Sequence, residues 1–151
     1  MAVPAGTTYT RFSLFDDFTD GADDLDMYVY RIDPDGSDEG TDPDLVLVGS
    51  SGSGTSAEEV NLINPAAATY KVFVHGWETD GPDANYTLFA WTLGSTAAGN
   101  LTATPSTTTA TTGATANVVL AWTGLDATKK YLGAVDYSGS TGMPTTIVRI
   151  G

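Results

Sequence analysis

No stretch of twelve residues in this chain carries apolar side chains at i, i+3, i+4 and i+7, so an amphipathic helix has nowhere to form. Short runs of β-branched and aromatic residues recur instead, separated by clusters of Gly, Pro, Asp and Asn. The predicted strands cover 9–15, 25–32, 45–49, 58–63, 70–77 and 86–93. After a small-residue break at 94–99, four more cover 101–104, 117–122, 131–137 and 145–150. Strands this short, with turn signals this dense, imply an all-β fold built from antiparallel sheets.

Composition changes at the same break. Residues 1–95 hold 17 of the 19 acids, and residues 96–151 hold only Asp126 and Asp136. We therefore expect a jelly-roll-like antiparallel β-sandwich over 1–95. Residues 96–151 should form a four-stranded antiparallel segment packed against it. Four strands fall short of the seven of an immunoglobulin-like sandwich, so that segment reads as immunoglobulin- or fibronectin-like but incomplete. The Thr-rich stretch 102–115 fits a strand end and an ordered loop, since β-branched Thr is at home in sheets.

Charge and cysteine content remove several functions. Nineteen acids against 6 bases leave a formal net charge of −13, which repels nucleic acid and acidic lipid surfaces. There is no cysteine, hence no disulfide, thiolate metal site or cysteine nucleophile. No apolar run approaches the roughly 18 residues of a membrane-spanning helix. The start, MAVPAGTTYT, lacks the basic and apolar segments of a signal peptide, which suits either a cytosolic protein or a mature piece of a secreted one.

Residues 16–44 hold twelve carboxylates and one base, Arg31. Calcium takes six to eight oxygen ligands, and a short Asp-rich loop with a glycine at its bend can supply them. The candidates are Asp16, Asp20, Asp23, Asp24 and Asp26, around Gly21. Setting Gly21 at the glycine of an EF-hand places Phe18 and Met27 where ligands belong, so an EF-hand proper is excluded. A calcium loop of another kind and a solvated turn whose carboxylates cap their own backbone both remain open. The stretch 33–44, with two Pro and two Gly, reads as a long exposed hairpin connection.

Catalytic patterns are missing. His75 is the single histidine, and no GxSxG motif accompanies it. The segment Gly49-Ser50-Ser51-Gly52-Ser53-Gly54 has no following GK[ST] and reads as a flexible hairpin loop. No catalytic residue is assigned. Strand alternation puts Lys71, Phe73, His75 and Trp77 on one face and Tyr70, Val72 and Val74 on the other. The aromatics Tyr28, Tyr30, Trp77, Tyr86, Phe89 and Trp91 are expected mainly in the core, which needs large residues.

Several separated motifs resemble one family. Val3-Pro4-Ala5-Gly6-Thr7-Thr8, Arg11-Phe12-Ser13-Leu14-Phe15-Asp16 and Asp20-Gly21-Ala22-Asp23-Asp24-Leu25-Asp26-Met27-Tyr28-Val29-Tyr30 are similar to the C-terminal region of secreted bacterial subtilisin-like (S8) serine proteases. So are Val74-His75-Gly76-Trp77, Asp80-Gly81-Pro82-Asp83-Ala84-Asn85-Tyr86 and Tyr131-Leu132-Gly133-Ala134-Val135. Residues 1–95 resemble the bacterial pre-peptidase C-terminal (PPC-type) domain. The resemblance implies a secreted, non-catalytic accessory domain with a protease domain upstream. Such a domain would assist binding of a protein or polysaccharide substrate or surface, or the stability of the parent. An independent carbohydrate-binding or adhesion module is the alternative, and exposed, coplanar aromatics on one sheet would favour it.

Overall fold

A computed structural model describes residues 1–33, 45–109, 111–139 and 143–151. The chain divides into two compact units, Met1–Ser95 and Thr96–Gly151. Every ladder is antiparallel. Among the described residues the only helical element is a 3-10 turn at Asp16–Phe18. The chain is all-β.

The first unit contains β1 (Ala2–Val3), β2 (Thr7–Ser13), β3 (Asp24–Ile32), β4 (Leu45–Ser51), β5 (Glu59–Ile63), β6 (Ala68–Glu78) and β7 (Phe89–Gly94). They form two sheets, ordered β1-β6-β3-β4 and β5-β2-β7. The connections β2–β3, β4–β5, β5–β6 and β6–β7 each pass from one sheet to the other, which is the jelly-roll-like winding expected of 1–95. The hairpin connection expected at 33–44 falls, from residue 34 on, outside the described residues.

Strand β3 shows why these residues build a sandwich. Its sequence alternates, and Leu25, Met27 and Val29 point inward, none more than 2% exposed. They meet Val3, Tyr70, Val72 and Val74 of their own sheet and Phe12 and Val60 of the facing one. Each such side chain contributes about 1.5–3 kcal/mol on burial. The opposite set, Asp26, Tyr28 and Tyr30, is thereby forced onto the outer face. Register pairs Asp26 with His75, Tyr28 with Phe73 and Tyr30 with Lys71 across β6, and Tyr28 with Ser50 and Tyr30 with Leu47 across β4. The shift between Val29 and Tyr30 marks a bulge at the edge strand β4. Beside it sits Gly49, where a Cβ would lie 2.6 Å from Val60 Cγ1, so the glycine lets the second sheet come close.

The aromatic residues expected in the core are not there. Trp77 is 69% exposed and Tyr86 46%, while Tyr28, Tyr30, Phe89 and Trp91 are half-buried. The core is filled by Phe12, Tyr70 and aliphatic residues, because those occupy the inward phase of each strand.

The second unit holds β8 (Leu101–Pro105), β9 (Val118–Trp122), β10 (Tyr131–Val135) and β11 (Thr146–Ile150). Among the described residues the four strands expected there are present, joined as two separate ladders, β8-β9 and β10-β11, and not as one sheet. Leu101 packs against Gly133, where a Cβ would come within 2.7 Å of Leu101 Cδ2, so the absent side chain lets the two hairpins meet.

Phe12 is fully buried between the sheets, whereas Ile63 on β5 is 76% exposed. Phe12→Ala should cost about 3–5 kcal/mol in urea unfolding through lost burial and the cavity left behind. Ile63→Ala should stay within about 0.5 kcal/mol.

Candidate functional site

The outer face of β1-β6-β3-β4 carries a groove of about 400 Å³. It is lined by Asp24, Asp26 and Tyr28 of β3, Trp77 of β6, and Ser50, Ser51, Gly52 and Ser53 at the end of β4. All of these belong to the first unit. Its volume falls at the lower end of the range of ligand clefts, about 300–1,000 Å³.

One buried carboxylate shapes the serine side of this groove. Glu58, 2% exposed, lies just before β5. Its Oε1 accepts hydrogen bonds from the Ser53 amide (2.7 Å) and the Ser53 hydroxyl (2.6 Å), and its Oε2 accepts one from the Ser51 hydroxyl. Three donors to one ionisable group fix the loop far better than the glycines alone would. Gly52 has a separate task. A Cβ there would sit 2.6 Å from Asp26 Oδ1, so glycine leaves room for that carboxylate. The segment 49–54 is thus an anchored wall, where sequence alone suggested a flexible hairpin loop.

The strand side carries charge and aromatic surface together. Asp26 Oδ2 lies 3.7 Å from His75 Nδ1 and 3.5 Å from the Tyr28 hydroxyl. The His75 ring meets Trp77 edge to face, with centroids 6.2 Å apart and planes at 72°. Tyr30 and Phe73 are likewise edge to face, at 5.4 Å and 88°. Asp24 is half-buried, and its Oδ1 is shielded from solvent without a hydrogen-bond partner. Desolvation first, and then the charges of Asp26, Glu58 and Glu78, push its carboxyl above the ordinary range.

The five candidate calcium ligands occupy different settings. Asp16 is exposed in the 3-10 turn. Asp20 accepts hydrogen bonds from the Asn85 amide (2.7 Å) and side chain (2.6 Å), which lower its pKa. Asp23 is buried. Its Oδ1 accepts from the Asp80 amide at 3.0 Å, its carbonyl accepts from the Ser56 hydroxyl at 2.7 Å, and its Oδ2 has no partner. Only Asp24 and Asp26 line the groove. Among the described residues no three acid or histidine side chains gather to hold a metal ion as they stand.

Glu58, Ser51 and Ser53 were not singled out by sequence as site residues. The available signal was an acid four residues after a Gly-Ser run, and its meaning depends on which strands those residues join. Compared with known protein families, curated proteins and solved structures, the chain shows no match.

Asp24 gives a pH-dependent test with a definite sign. Its folded-state pKa is raised, so the native state holds this proton more tightly than the unfolded chain. Stability therefore falls as pH rises from the ordinary carboxylate value, about 3.9, through the raised one. Asp24→Asn removes that loss. Its melting temperature should exceed that of the parent at pH 7, and the difference should shrink towards pH 3.

Proposed function

We propose that the chain is a non-catalytic binding module, an accessory domain of a secreted bacterial subtilisin-like serine protease, and that it engages protein through the outer face of β1-β6-β3-β4. The observation that carries this reading is the groove, with an exposed indole, two carboxylates and anchored serine hydroxyls opening on one sheet face. Few convergent polar groups beside an aromatic anchor are what a binding cleft requires. The subtilase context itself rests on the sequence motifs, and the parent's protease domain is the partner it implies.

A carbohydrate-binding or adhesion module is the second reading, favoured by the exposure of Trp77 and Phe73 on the same face. Flat stacking on a sugar ring would use aligned aromatic faces. Here the neighbouring rings stand at 72° and 88° to each other, which suits irregular protein surface better. Co-sedimentation with insoluble protein fibres, and separately with cellulose and chitin, decides between them. We expect retention on protein that falls at least five-fold in Trp77→Ala, with an unchanged circular dichroism spectrum. Retention on the polysaccharides alone would favour the second reading, and retention on neither would overturn both.

Calcium enters this reading as an ion for the Asp16–Asp26 segment, supported by the unpartnered Oδ2 of buried Asp23. An ion held only by the folded state stabilises by about 2.7 kcal/mol at one hundred times its dissociation constant. That corresponds to a rise of several degrees in melting temperature for a unit of this size. Melts in millimolar calcium should therefore lie above melts in EDTA at equal ionic strength, and Asp23→Asn should close the gap. Coincident melts would leave these carboxylates as acceptors that hold the turn.

A further inference from the structure

We infer that the groove receives a lysine or arginine side chain of a protein ligand, its cationic head placed between Asp24, Asp26 and the face of Trp77. The inference rests on the reading of this sheet face as the binding face and adds the chemistry of the occupant.

Charge complementarity carries it. Two carboxylates, Asp24 and Asp26, line the groove, and Glu78 lies opposite Asp24 in the register of β3 and β6. The basic side chain beside Asp26 is His75, while Lys71 lies farther along β6, opposite Tyr30. Glu58 is occupied by Ser51 and Ser53, so it cannot turn to meet a ligand. Asp24, on the groove lining, keeps a carboxylate oxygen without a donor. An anion would add to this repulsion. A neutral ligand would desolvate the carboxylates further and return nothing for their charge. A cation that brings several N–H donors answers both the repulsion and the orphaned oxygen.

Two features choose an organic cation over a metal ion. Trp77 presents a 69% exposed indole on the same groove, and ammonium or guanidinium groups gain from an indole face. A hard ion wants six to eight oxygens at fixed short distances, whereas the groove sets two carboxylates beside an indole and a phenol ring. The serine hydroxyls and the Tyr28 ring leave polar and apolar contacts for the stem and backbone of the ligand.

The test is an amide and indole NMR titration of the whole chain with a short glycine–serine peptide bearing one central lysine. Its arginine counterpart, the same peptide with the lysine Nε-acetylated, a neutral oligosaccharide and calcium chloride are run in parallel. We expect the lysine and arginine peptides to shift the Trp77 indole resonance and the amides of residues 50–53. Acetylation should weaken binding at least ten-fold, and Asp24→Asn at least five-fold, at a melting temperature no lower than that of the parent. Trp77→Ala, at an exposed position, should weaken binding without unfolding the chain. Equal binding of the acetylated peptide, or shifts produced only by calcium or only by the oligosaccharide, would overturn the cationic occupant. So would the absence of shifts with every probe. Retention on protein fibres through Trp77 would in each of these cases still stand or fall by its own measurement, which separates the failure of this inference from failure of the binding-face reading.

Discussion

The burial of Leu25, Met27 and Val29 against Phe12 and Val60 is the contact on which the rest of the first unit depends. A strand has a period of two, so committing these three side chains to the core commits Asp26, Tyr28 and Tyr30 to the opposite face. A slip of one residue would turn Asp26 and two phenols into the apolar interior, at a desolvation cost no local contact repays. The register of β3 is therefore fixed by its inward face. Everything on the outer face inherits its place from that choice, including the pairing of Asp26 with His75 and of Tyr28 with Ser50.

The groove arises where this outer face meets the end of β4, and a buried carboxylate from the neighbouring sheet holds it open. Glu58 belongs to the lead-in of β5, while the serines it binds belong to β4 and the turn after it. A single side chain thus ties the edge of one sheet to the start of the other. The cost of desolvating Glu58 is offset by hydroxyl and amide donors and not by a cation, which leaves the nearby negative charge undiminished. Asp24 sits in that field, with its carboxyl raised by desolvation and by its acidic neighbours. Under the binding mode proposed above, stability and binding pull against each other at this residue. Its charge weakens the empty fold and is the feature that a cationic ligand can use.

At the other end of the Asp-rich segment the carboxylates serve the fold. Asp20 clamps Asn85, and Asp23 and Asp80 exchange contacts with each other's backbone neighbourhood through the Asp80 and Ala22 amides. These bonds join the β2–β3 connection to the β6–β7 connection, two segments about sixty residues apart in sequence whose approach no local pattern announces. Acidic residues adjacent in sequence are thereby divided between turn-building and an outward-facing groove.

The sequence by itself determined the all-β class, the position of nearly every strand and the two faces of β3 and β6, because alternation and turn chemistry are local and speak directly through residue order. It also marked Asp24 and Asp26 as chemically notable. It placed the large aromatics wrongly, since their size argued for burial while their phase along the strands, set by Leu25, Met27 and Val29, put Tyr28, Tyr30 and Trp77 outside. Only the tertiary structure decided that four C-terminal strands pair as two ladders, that Glu58 anchors the Gly-Ser segment, and that Trp77 and Asp24 share one groove. Those facts depend on which strands become neighbours across sheets. Pairing of that kind is fixed by the packing of the whole core and has no signature in any short window of sequence.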